Sequence, residues 1–206
     1  MTIESINQPS DLRRLSYLEI DDLAGEIRDF IVQAVATNSG HLGSNLGAVE
    51  LTLALHRVFD SPNDAILWDT GHQAYVHKIV TGRSEGFSQL RQANGLSGYP
   101  SREESKHDYI ENSHASTVLS YAYGMSVARE IGVDKHRHIV AVIGDGSMTG
   151  GMAFEGLNNL GHSGRDCIII LNDNGRSYAP TVSKLGDTLV RIRSNATYVR
   201  RQAKLE

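Results

Sequence analysis

Two apolar, largely β-branched runs, Ile139-Val140-Ala141-Val142-Ile143 and Cys167-Ile168-Ile169-Ile170-Leu171, constrain this chain more than any other feature. Each reads as a strand. About 23 residues lie between them, room for one crossover helix, so the two strands are expected to run parallel. A polar cluster follows each run: Gly144-Asp145-Gly146-Ser147 after the first, Asn172-Asp173-Asn174 at the end of the second. Ligands of open parallel sheets bind beyond the carboxyl ends of the strands, where both clusters fall. Asp145 offers a carboxylate and Asn174 an amide carbonyl. Both are hard oxygen donors and suit Mg²⁺, which takes few protein ligands and keeps positions for phosphate oxygens and water. The Gly-rich stretch 144–151 opens a helix expected over 152–160, whose first N–H groups can hold an anion. These residues point to magnesium and a diphosphate.

The rest of the chain alternates helix and strand without internal repeats, an α/β pattern. Ser16-Tyr17-Leu18-Glu19 reads as a capping box. Behind it Leu23, Ile27, Phe30, Ile31 and Ala34 form an apolar stripe at helical spacing, ended by Ser39-Gly40. A second helix is expected over 46–58, stopped before Pro62, and a short buried strand over 66–68. A long polar connection covers 81–112, and a helix rich in small residues spans 117–130. A net charge of -4 gives no reason to expect nucleic acid or an anionic membrane as partner. The lone cysteine, Cys167, lies in an apolar run and reads as a core residue. No stretch approaches the apolar length of a membrane span, and the chain is expected to be cytoplasmic. His56 reads as core or buried polar. His77 and Lys78 stand evenly between a structural role and a phosphate contact. The arginines and lysine of the C-terminal segment (Arg191, Arg193, Arg200, Arg201, Lys204) read as a solvated helix face.

Gly-Asp-Gly followed roughly thirty residues later by Asn-Asp-Asn resembles the diphosphate motif of thiamine-diphosphate enzymes. Further segments narrow the likeness. Ser39-Gly40-His41-Leu42-Gly43-Ser44-Asn45-Leu46-Gly47, Trp68-Asp69-Thr70-Gly71-His72-Gln73-Ala74-Tyr75 and Gly151-Met152-Ala153-Phe154-Glu155 resemble the 1-deoxy-D-xylulose-5-phosphate synthase family, in order along almost the whole chain. The resemblance implies a parallel sheet flanked by helices, a truncated form of the diphosphate-binding fold, with residues 1–206 as one such domain. It implies thiamine diphosphate anchored by Mg²⁺ through Asp145, Asn174 and the Arg176 carbonyl, with Gly146 and Ser147 at the diphosphate. His72, Ser113, His114 and Ala115 would contact the cofactor, and His41 and His114 would move protons near the reacting carbon. The implied reaction condenses pyruvate with D-glyceraldehyde 3-phosphate to 1-deoxy-D-xylulose 5-phosphate and CO₂.

Family members are much longer. They carry a pyrimidine domain, whose glutamate activates the cofactor, and a C-terminal domain. No residue here takes the glutamate's role, so the isolated chain is expected to turn over slowly or not at all. A homodimer, or a partner supplying the pyrimidine domain, is implied. A split small subunit and a non-catalytic interacting remnant are the alternative readings. Two positions depart from the common pattern: Ser113-His114-Ala115 replaces Gly-His-Ser, and Gly175-Arg176-Ser177-Tyr178 follows the second asparagine. The first loses a hydroxyl. The second keeps the backbone carbonyl of Arg176 as a ligand.

Overall fold

The computed structural model describes residues 2–111, 113–132 and 138–174, with isolated positions between 184 and 200. Arg176 and most of the expected C-terminal helix lie outside the described residues. Three strands, β1 (Ala65–Trp68), β2 (Ile139–Gly144) and β3 (Ile168–Asn172), form one sheet in the order β1-β2-β3. Both pairings are parallel, with Ala65 opposite Ile139 and Val140 opposite Ile168. The central strand is buried on both faces, the setting in which unbroken β-branched runs occur. The α/β fold expected from the sequence is the fold observed.

Helices cover both faces. Alternate strand residues (Ala65, Leu67, Ile139, Ala141, Ile143) pack against α5 (Val118–Glu130) and α6 (Gly151–Ser163). The intervening ones (Ile66, Trp68, Val140, Val142) pack on the other side with Leu55 and Ala74. Beyond that second face lies a further core, built by α1 (Tyr17–Asn38), α3 (Val49–Val58) and the short α4 (Tyr75–Lys78). Leu23, Ile27 and Ile31 of the α1 stripe are fully buried there, each worth about 1.5–3 kcal/mol of transfer free energy. The capping box is present: Glu19 N donates to Ser16 Oγ at 3.3 Å, and Ser16 N to a Glu19 carboxylate oxygen at 2.8 Å.

The helix expected over 46–58 is two helices. α2 (Leu42–Leu46) ends where Gly47 N bonds Gly43 O and Ala48 N bonds Asn45 O, and α3 restarts at Val49. Arg28 fixes that restart by a 2.6 Å ion pair to Glu50. Cys167 precedes β3 half-buried against the α5–α6 core, where burial pushes its thiol up to about 11, as befits an inert core residue. Among the described residues no helix is long and apolar enough to cross a membrane.

Candidate functional site

The carboxyl ends of the three strands carry the candidate site. At the end of β1, Asp69 is fully buried, and its backbone N donates to Val142 O, extending the β1–β2 ladder. One carboxylate oxygen accepts from Ser116 N at 2.9 Å and from the Thr70 hydroxyl at 3.0 Å; the other accepts from Val118 N at 3.0 Å. Asp69 thereby caps the first turn of α5, where unpaired N–H groups need acceptors. The cap holds the Ser113–Thr117 loop over the sheet end. Ser113, His114 and Ala115 are exposed on that loop, and the Thr117 hydroxyl donates to the His114 carbonyl at 2.9 Å.

The loop is tied to the next strand end as well. The Ser116 hydroxyl donates to Ser147 O at 2.6 Å. A Cβ at Gly150 would lie 2.0 Å from that hydroxyl, so only glycine fits the approach. Asp145 N bonds Asn172 O at 3.2 Å, which sets the Gly144-Asp145-Gly146 turn beside the end of β3. A 3₁₀ turn over Ser147–Thr149 then leads into α6 at Gly151. Asn174 lies two residues past β3 and is exposed. Gln73 links the outer strands: Asn172 Nδ2 donates to its Oε1 at 3.1 Å.

Two histidines lie at the β1 side of these loops. His41 begins α2 after Ser39 (φ 61°), and His72 follows Thr70 (φ 60°) and Gly71 (φ 82°). A Cβ at Gly71 would lie 2.4 Å from Pro100 Cδ, so glycine is required there by both space and backbone. The imidazoles meet edge to face with centroids 5.8 Å apart, and the Tyr99 ring is 5.7 Å from His41. Burial lowers both histidines below their usual range; Arg91 adds to this at His41, and His41 adds to it at His72. Both are therefore neutral at pH 7 and able to accept a proton. The Nδ1 atom of each is buried with no protein hydrogen-bond partner.

A buried polar network holds the 97–111 segment, which brings Tyr99 and Pro100 to this corner. Asp108 accepts two hydrogen bonds from the Arg83 guanidinium (2.7 and 2.9 Å), one from Ser101 N (2.7 Å) and one from His77 Nε2 (2.8 Å). His77 Nδ1 lies 2.8 Å from His56 Nε2 and accepts from it. Lys78 pairs with Glu104, and Ser61 Oγ meets His107 Nδ1 at 2.8 Å. His56 is buried polar, as expected. His77 is fully buried in a hydrogen bond to Asp108 and Lys78 in an ion pair with Glu104, which decides for their structural reading.

This network makes stability depend on pH. Burial lowers His56 and His77, and His107 is lowered to about 4, again mainly by burial. Unfolding returns each toward about 6.5, so below that pH the unfolded chain binds more protons than the folded one and stability falls as pH falls. The melting temperature is expected to drop by several degrees between about pH 7.5 and about pH 5. Equal melting temperatures at the two pH values would remove these histidines as the cause.

The sequence points to residues on the loops at the strand ends but not to those that hold these loops in place, Asp69, Ser116 and Asn45. Asp69 stood in a quoted motif directly after a strand, and a buried carboxylate there was the available signal. Among the described residues no group of three or more His, Cys, Asp or Glu side chains converges on a metal position. The donors suggested by the sequence are of another kind: one carboxylate, one amide oxygen and one main-chain carbonyl.

A parallel sheet with helices on both faces, and polar loops gathered at its carboxyl edge, defines an α/β domain of the class whose ligands bind beyond the strand ends. Residues 3–206 match the family model described as 1-deoxy-D-xylulose-5-phosphate synthase, and the chain belongs to that family. It is 58% identical over 198 residues to the 1-deoxy-D-xylulose-5-phosphate synthase of Mycolicibacterium gilvum (strain PYR-GCK), covering 96% of this chain and 31% of the relative. It is 61% identical over 197 residues to that of Frankia casuarinae, covering 95% and 30%. It is 57% identical over 198 residues to that of Mycobacterium leprae (strain TN), covering 96% and 31%. The chain thus spans about a third of the length of the curated relatives it matches.

Proposed function

We propose that this chain is the diphosphate- and Mg²⁺-binding half-site of a thiamine-diphosphate-dependent synthase. The whole enzyme condenses pyruvate with D-glyceraldehyde 3-phosphate to 1-deoxy-D-xylulose 5-phosphate and CO₂. The observation that carries this reading is the bond from Ser116 to Ser147, which joins the Ser113-His114-Ala115 loop to the Gly-Asp-Gly turn at the strand ends.

The donor chemistry fits the metal. Asp145, Asn174 and the Arg176 carbonyl would give Mg²⁺ three oxygen ligands and a single protein charge, leaving its other positions to diphosphate oxygens and water. Gly146 and Ser147 would hold the diphosphate beside the start of α6, where helix N–H groups favour an anion. The two orphaned imidazole nitrogens fit a polar ligand in the same way. His72, Ser113, His114 and Ala115 would line the cofactor, and His41 and His114 would transfer protons near the reacting carbon. When bound, thiamine diphosphate supplies the carbanion chemistry, while the chain orients it and excludes water. We read residues 1–206 as one domain of a cytoplasmic enzyme. A homodimer, or a partner bringing the pyrimidine domain and its activating glutamate, completes the cleft.

Calorimetry with thiamine diphosphate and Mg²⁺ tests the half-site. The wild-type chain is expected to bind, and Asp145→Ala to lose the heat of binding altogether. Equal binding by Asp145→Ala would sink the metal assignment, and no binding by the wild type would sink the half-site.

A further inference from the structure

Asn45 is fully buried, and its carboxamide makes three short hydrogen bonds. Nδ2 donates to His41 O at 2.6 Å and to His72 O at 2.8 Å, and Oδ1 accepts from Tyr75 N at 2.9 Å. Both amide protons go to carbonyls and the oxygen to an N–H, so the orientation of the group is fixed by its partners. The carbonyls belong to the two histidines whose rings meet at 5.8 Å, and those histidines come from segments about thirty residues apart. Two weaker contacts run alongside: Ser44 Oγ donates to His72 O at 3.3 Å, and His41 N to Tyr75 Oη at 3.4 Å.

We infer that Asn45 is a positioning residue, a clamp that sets the separation of His41 and His72 by holding both main-chain carbonyls. The inference deepens the proposed function and rests on it for the role of the histidines, but the clamp is a property of the chain alone. A backbone held on each side of its imidazole fixes where that imidazole can reach. Beside the clamp, the turn at Thr70 and Gly71 and the turn at Ser39 are joined by those two longer hydrogen bonds and by Tyr75 packed on Gly40.

Nuclear magnetic resonance on the full chain tests this. In the wild type the Asn45 carboxamide protons are expected to exchange far more slowly than those of exposed Asn158; equally fast exchange would overturn the clamp. In Asn45→Ala, the titration midpoints of His41 and His72 should rise together toward about 6.5 as their burial loosens, while those of His56 and His77 stay put. Unmoved His41 and His72 midpoints in a folded variant would overturn it, whatever its melting temperature. Calorimetry with thiamine diphosphate and Mg²⁺ is run in parallel, and about tenfold weaker binding is expected in Asn45→Ala. Failure of the wild type to bind would count against the cofactor reading, while exchange and titration still decide the clamp.

Discussion

Asp108→Asn is expected to destabilise the chain by about 3–5 kcal/mol, the cost of leaving a buried charge without its partner. Asp108 has no exposed side-chain surface and takes both arms of the Arg83 guanidinium, itself nearly buried. Burial alone would pull its carboxyl up. The hydrogen bonds from His77 and Arg83, with the Arg83 charge, outweigh that and hold it well below the usual carboxylate range. Asparagine keeps one acceptor oxygen but turns an NH₂ toward donors, so Arg83 or His77 loses its acceptor. For a chain of this size the loss corresponds to a fall in melting temperature of roughly 10 °C. A fall of less than about 2 °C would mean that solvent or Glu104 takes over the pairing. The site should feel the change too, because Asp108 anchors Ser101 N, next to the Pro100 that packs on Gly71.

The second large effect is expected at Asp69. Replacement by alanine strips acceptors from Ser116 N and Val118 N, both in buried surroundings, at about 1–3 kcal/mol for each unsatisfied group. Urea unfolding should register a loss of about 2–4 kcal/mol, and Asp69→Asn, which keeps one acceptor, about half of it. The same substitution frees the Ser113–Thr117 loop, so thiamine diphosphate affinity should fall by more than about tenfold, beyond what lost stability explains. If unfolding shifts and binding does not, the loop is not a cofactor contact.

Much of the architecture was legible because its signals are local. The β-branched runs announced β2 and β3, their spacing announced parallel pairing, and Ser16 with Glu19 announced the start of α1. The clusters at 144–147 and 172–174 could be placed at the strand ends on the same grounds. His56 was correctly read as buried from its position on an apolar helix. What escaped are contacts whose partners lie far apart in the chain: Asp69 with Ser116, Asn45 with His72, Asp108 with Arg83. Polar residues of this kind look like loop residues until the fold surrounds them. The break between α2 and α3 escaped for a related reason, since the apolar pattern continues through it while the Asn45 side chain is drawn toward the two histidine carbonyls. Arg176 lies outside the described residues, so its place as a ligand rests on the family resemblance.

The pairing of β1 with β2 bears on how the chain acquires its shape. Asp64 accepts from His138 N across 74 positions, and the β1–β2 ladder begins beside that contact. The β2–α6–β3 unit closes over a much shorter span and can collapse early. β1 must wait for a long loop to close, and entropy makes such a step slow. The clamp of the histidine corner lies within residues 41–75, so it does not depend on that closure. Until β1 and β2 pair, the flank of β2 stays open to chaperones or to misassociation.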